Sequence, residues 1–334
     1  MDHALPVICA AIMAVSIIMY VVMDGFDLGI GILFRFAPDD RARDTMMAAV
    51  APVWDGNETW LVLGGTVLFA AFPTAYSVLL PALYLPLVVM LVALIFRGVA
   101  FEFRARATTG RRWWDRAFFA GSTTATVAQG IVLGAFIQGV DTDDAAFAGG
   151  SFDWLTPFAL FCGIALAAGY ALLGATWMVM KTEGTLQAWS RRRAVGSLVA
   201  VMVAVAVVSL WTPLAHPAIA QRWFAWPNIL WLSPVPMVTA LAAAGLLRAL
   251  RRGDEGTPFV LAVALFLLSY LGLAISLFPA IVPPEITIWA AASAPSTQRF
   301  LLWGIGIALP VIFAYTAYSY HVFRGKASAD DAYH

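Results

Sequence analysis

The sequence predicts an all-α integral membrane protein: about nine transmembrane helices, set as two four-helix bundles plus one peripheral helix, in a single polytopic domain over 1–334. Three observations predict this. Of the 334 residues, 61% are hydrophobic and 12% charged, about half the charged share usual for a soluble domain. Apolar stretches of about 20 residues, each enough for one bilayer crossing, follow one another along the chain. Lys and Arg fall almost wholly in alternate connecting segments, the asymmetry that sets orientation in a membrane.

The stretches lie near 5–34, 50–72, 76–103, 116–139, 155–180, 194–213, 229–250, 257–278 and 300–323. The first is too long, and Met1-Asp2-His3 before it too poor in positive charge, for a cleaved secretory signal, so it is expected to remain as the first span. The turn after it carries Arg35, Arg41 and Arg43; the segment after the third, Arg104, Arg106, Arg111, Arg112 and Arg116. After the fifth come Lys181, Arg191, Arg192 and Arg193; after the seventh, Arg248, Arg251 and Arg252; after the ninth, Arg324 and Lys326. Seventeen of the 20 basic residues thus share one side. That side is expected to be cytoplasmic, with the N-terminus outside and the C-terminus inside. On the opposite side, Asp141, Asp143, Asp144 and Asp153 read as a solvated acidic loop, and Trp223, Trp226, Trp231 and Trp289 as an interfacial belt.

Charge inside the spans is concentrated in the first three. Asp24 and Asp27, and Asp55 and Glu58, are i,i+3 pairs, so each pair shares a helix face. With about 1.5 Å of rise per residue, Asp24 lies about 28 Å from Leu5, Asp55 about 27 Å from Pro73, and Arg97 about 31 Å from Tyr76, which brings all three to one level. Gly25 and Gly29 form a small-residue stripe that admits a neighbouring helix. These spacings predict carboxylates packed around a buried Arg97, with Arg97 and Glu102 as structural counter-ions. Asp24, Asp55, Asp27 and Glu58 are candidates for handling protons, because an ionisable group at membrane depth is expensive and so points to function. The competing reading puts Asp55 in the first turn of a helix begun at Pro52, as an ordinary acid at the positive helix end.

Other chemistry is not indicated. There is no basic run with interleaved aromatics for a nucleic acid. Cys9 and Cys162 are isolated and read as packing. Haem in a helix bundle usually needs inward-facing His or Met ligands, whereas His3, His216, His321 and His334 lie at ends or in loops. No Cys/His metal spacing, phosphate loop or catalytic triad is present, so no metal, cofactor or catalytic residue is expected in this chain.

Four ordered segments carry a family resemblance: 24–31 (DGFDLGIG), 54–60 (WDGNETW), Ala70-Ala-Phe-Pro73 with Tyr76, and 97–104 (RGVAFEFR). Together with Phe278-Pro279, 283–289 (PPEITIW) and 315–326, they resemble subunit II of the cytochrome bd-type quinol oxidases, closest to the cyanide-insensitive branch. The chain departs from the family at Ala290–Ala292, where an acidic residue is associated with the segment. The resemblance implies a haem-free subunit in a bacterial inner membrane, paired pseudo-symmetrically with subunit I. Subunit I would carry two haems b and a haem d, or a third haem b. It would oxidise quinol near the outer face and reduce O2 to water with protons drawn from the cytoplasm. The resemblance further implies that subunit II contributes acids to a proton path, which fall here on Asp55 and the Asp24/Asp27 pair. Small single-span subunits, lipid and quinone are further expected partners. A proton- or ion-coupled transporter is the alternative, with Pro310 as a candidate helix break.

Overall fold

The computed structural model describes residues 3–107 and 109–329; His334 lies outside them. Along the chain run α1 (Ala4–Phe34), α2 (Asp40–Ala48), α3 (Trp54–Ala71), α4 (Pro73–Ala82), α5 (Tyr84–Arg106) and α6 (Arg111–Gln138). A hairpin of β1 (Thr142–Asp143) and β2 (Ala146–Phe147) leads to α7 (Pro157–Lys181) and α8 (Gly184–Ala215). Next come α9 (Pro217–Phe224), α10 (Asn228–Leu232), α11 (Pro234–Arg252) and α12 (Thr257–Leu277). A second hairpin, β3 (Ala280–Val282) and β4 (Ile286–Thr287), precedes α13 (Pro295–Val322).

Among the described residues, eight helices are long and apolar enough to cross a membrane: α1, α5, α6, α7, α8, α10 running into α11, α12 and α13. The span expected at 50–72 is α3, which begins at Trp54 and carries Asp55, Asn57 and Glu58 in its first turns. Those polar residues hold it outside the eight, so nine equal spans become eight apolar helices and one shorter helix with a polar start. The span expected at 76–103 is broken at Leu83 into α4 and α5. In α4, Ala75, Val78, Leu79 and Ala82 pack against Ile281, Val282 and Ile286 of the second hairpin. The acidic loop also has more order than a solvated loop needs: Asp144 and Ala145 both take positive φ, the two-residue turn that matches strand twist.

The packing falls into the two expected groups. Helices α7, α8, α11 and α12 close a ring; α1 packs on α3 and α6, and α6 on α5, while α13 lies against α3 and α1. Helices α1 and α6 join the groups, because both also pack closely on α7. Every residue from Met23 to Gly31 is buried. Glycine makes that approach possible. A Cβ at Gly29 would collide with the Tyr170 carbonyl, and one at Gly174 would sit 2.6 Å from the Gly29 carbonyl carbon. Around this contact Phe26 stacks on Trp177 at 4.2 Å between ring centroids, edged by Phe259 and Tyr320.

At the basic end the chain following α13 is tied back. Lys181 Nζ donates to the Phe323 and Gly325 carbonyls, and Lys326 Nζ to the Met180 and Thr182 carbonyls and to Glu255, 2.7 Å away. Hydrogen bonds from Lys326 and Gln187 hold the exposed Glu255 carboxyl below the usual glutamate range. Its bonded, ionised form therefore persists at neutral pH and is lost only as pH falls through that lowered value.

Gly29→Ala is expected to force α1 off α7 and destabilise the detergent-extracted protein by about 2–3 kcal/mol, seen as a lower melting temperature. An unchanged melting temperature would show that the two backbones are not in contact.

Candidate functional site

The charged residues of α1, α3 and α5 do meet, and the meeting is built on Arg97. Its guanidinium is buried and donates to Asp24 Oδ1 at 2.5 Å, with Glu58 Oε1 at 3.5 Å and the Trp54 ring 5.7 Å away. Because α5 starts at Tyr84, Arg97 lies about 20 Å along its own helix, not the longer distance counted from Tyr76. From the other end, Arg97 is nine residues before Arg106 and Asp24 ten before Phe34, so each sits about 14–15 Å inside its helix's basic end. The depth match expected from sequence therefore holds, by a different measure.

Asp27 joins the cluster through a residue that the sequence reading quoted but gave no role. Asn57 Nδ2 donates to Asp27 Oδ2 at 2.7 Å and to the Met23 carbonyl at 3.2 Å, and Asn57 Oδ1 accepts from the Tyr320 hydroxyl at 2.9 Å. One amide thus links α1, α3 and α13. Asp24 Oδ2 and Asp27 Oδ1 are buried without a hydrogen-bond donor at bonding geometry. Three carboxyls here face one guanidinium, so positive charge is in deficit and a proton is the smallest species that restores balance.

Asp55 is outside this core. It is exposed, in the first turn of α3, which is the arrangement of the competing helix-end reading. Glu58, one turn on, is half-covered, with 30% of its side chain exposed, and its Oε1 lies 3.5 Å from Arg97. Glu102 is half-buried; five residues along α5, it is turned about 140° around the helix from Arg97, so it does not share Arg97's face.

A second ion cluster at the basic end was missed from sequence. Arg104, counted there only as a loop cation, is buried and donates to Asp115 Oδ1 at 2.5 Å and Asp44 Oδ1 at 2.8 Å, while Arg111 also reaches Asp44 at 2.7 Å. It ties α2, α5 and α6 together beneath the first cluster. Two tyrosines and a glutamine were also unassigned: Tyr170 donates to Gln129 Oε1 at 2.9 Å, and Gln129 Nε2 to the Tyr20 hydroxyl at 2.6 Å. Spacing held a signal for the first of them, since Tyr20 lies one turn before Asp24.

The remaining candidates fall as follows. Cys9 and Cys162 are buried free thiols. His3 and His321 are exposed, and His216 caps the end of α8. Helix α13 runs unbroken through Pro310, which removes the helix break that the transporter reading used. Trp226, Trp231 and Trp289 are exposed, as an interfacial belt requires.

The chain is similar to known proteins along nearly its whole length. A family model described as cytochrome bd terminal oxidase subunit II matches residues 5–323. Subunit 2 of the cytochrome bd-I ubiquinol oxidase of Escherichia coli (strain K12) is 29% identical, over 96% of this chain and 94% of that one. A probable cytochrome oxidase subunit 2 of Haemophilus influenzae is 30% identical over 95% and 93%. Cytochrome bd ubiquinol oxidase subunit 2 of Bacillus subtilis (strain 168) is 27% identical over 95% of each. In three dimensions the chain is similar to one in the structure of bd oxidase from Geobacillus thermodenitrificans, with a TM-score of 0.79 at 18% identity over 96% and 98% of the two chains.

Arg97→Leu is expected to leave Asp24 and Glu58 without their cation and to cost about 3–5 kcal/mol. Yield and melting temperature of the detergent-extracted protein measure it; wild-type values for both would mean that these carboxyls carry no uncompensated charge.

Proposed function

The chain belongs to the cytochrome bd terminal oxidase subunit II family, and from that premise we propose that it stabilises a haem-bearing subunit I and contributes acids to the proton supply of quinol-driven O2 reduction. One observation carries the proposal: Glu58, one turn along α3 from the exposed Asp55, lies 3.5 Å from the Arg97 guanidinium that holds Asp24. Protons then have a stepped series of carboxyls to follow, Asp55 to Glu58 by i,i+3 spacing and Glu58 to Asp24 around a shared guanidinium. Asp27, held by Asn57, adds a fourth carboxyl at the inner end of that series.

The haems and the O2 chemistry belong to the partner in this reading. The described histidines lie at helix ends, and the interior between α1, α7 and α12 is filled by Phe26, Trp177, Phe259 and Tyr170, a donor set that does not fit a haem. Subunit II then acts by holding charge and protons near the interface, not by binding a redox group. With the basic side cytoplasmic, the first turn of α3 opens toward the compartment that supplies protons, and the N-terminus of α1 lies in the periplasm.

The test is Asp55→Asn and Asp24→Asn in the complex purified from its native membrane. Each is expected to lower oxidase turnover about tenfold or more while haem content stays at the wild-type level. Wild-type turnover in both variants would leave this chain as a scaffold without a proton role, and loss of haem along with turnover would assign the residues to assembly.

A further inference from the structure

Beyond the acids themselves, we propose that Tyr170, Gln129 and Tyr20 form a one-directional hydrogen-bond line that holds the Asp24 carboxylate, with Gln129 as its positioning residue. The inference rests on the reading that Asp24 handles protons. It comes from three helices that otherwise have no polar business in common: α1, α6 and α7 each place one such side chain at the same level inside an apolar interface.

The direction of the line follows from what each group can do. A hydroxyl donates one hydrogen; an amide offers an acceptor on one side and donors on the other. Tyr170 donates to Gln129 Oε1 at 2.9 Å, and Gln129 Nε2 donates to the Tyr20 oxygen at 2.6 Å. Tyr20 therefore receives a hydrogen and keeps its own free for another acceptor. The Asp24 carboxyl lies one helical turn on along the same side of α1, and its Oδ2 is a buried oxygen with no donor at bonding geometry, so it is the acceptor that the spare Tyr20 hydrogen can serve. Turning the amide over would reverse the line. Tyr20 would then spend its hydrogen on Gln129, and the Tyr170 hydroxyl, fully buried against Phe266, would have to orphan its own. The apolar surroundings of Tyr170 thus select the orientation that aims Tyr20 at Asp24.

The line holds and does not conduct. It ends at Tyr170, which is completely buried, and an amide does not readily pass a proton along. Arg97 grips Oδ1 from the α5 side, and Oδ2 is left open to the Tyr20 hydrogen, so a small approach of that hydroxyl holds Asp24 from both flanks. Losing the Tyr20 donor would free the Oδ2 side of Asp24 without touching the ion pair. Gln129 acts on Asp24 only through Tyr20.

The experiment is a double-mutant cycle in the intact oxidase complex. Tyr20→Phe and Gln129→Leu are each expected to lower kcat about fivefold, roughly the worth of one hydrogen bond, with the quinol KM and haem content unchanged and a larger solvent deuterium isotope effect on kcat. The double variant is expected to be no slower than Tyr20→Phe alone. Tyr170→Phe, which removes one oxygen and lets the amide turn, is expected to reproduce the Gln129→Leu effect and serves where Gln129→Leu fails to assemble. Additive losses, or a wild-type kcat in Gln129→Leu or Tyr170→Phe while Asp24→Asn is slow, would overturn the positioning role alone. Wild-type turnover in Asp24→Asn would overturn the proton reading and this inference together.

Discussion

Two opposite charges taken into the middle of a helix bundle cost several kcal/mol each before they attract one another, and the Arg97–Asp24 pair meets that cost only by close geometry. The 2.5 Å contact requires α1 and α5 to meet at one depth. Glu58 then has to come from a third helix, and α3 starts where it does to deliver it. Trp54, the first residue of α3, covers the guanidinium from the side. The second cluster on Arg104 repeats the device lower down, fastening α2, α5 and α6, so the turn between α2 and α3 is held on both flanks by buried ion pairs.

Glycine and aromatic packing supply what charge cannot. The contact of Gly29 with the Tyr170 carbonyl brings α7 against α1 backbone to backbone, and Gly130 and Gly163 bring α6 against α7 in the same way, which puts Tyr170 within reach of Gln129. The polar side chains inside this bundle are thus positioned by the absence of side chains elsewhere. Asn57 shows the same economy in another place: one amide binds Asp27, the α1 backbone and Tyr320, and so sets the lean of α13, a helix otherwise largely exposed.

Much of this was legible in the residues. Hydropathy and the placement of Arg gave the helix count to within one, and the i,i+3 acids and the Gly25/Gly29 stripe identified the helix faces that meet. The break at Leu83 carried a local signal inside one apolar run: Pro81 and Pro86 flank it, and each proline removes a helix hydrogen bond. The roles of Asn57, Gln129 and Tyr320 were hidden, because their partners are 30, 109 and 263 residues distant, and only tertiary contact pairs them. Asp55 fits the helix-end reading that stood beside the proton-handling one: it shares the 54–60 segment with Glu58, yet the first turn of α3 turns it outward.

That outward turn bears on what must surround the start of α3. An exposed carboxyl has to be met by water or by polar protein, because hydrocarbon penalises it. Asp55 therefore sets the first turn of α3 at a wet level, and the buried acids of α1 lie behind the boundary that this turn marks.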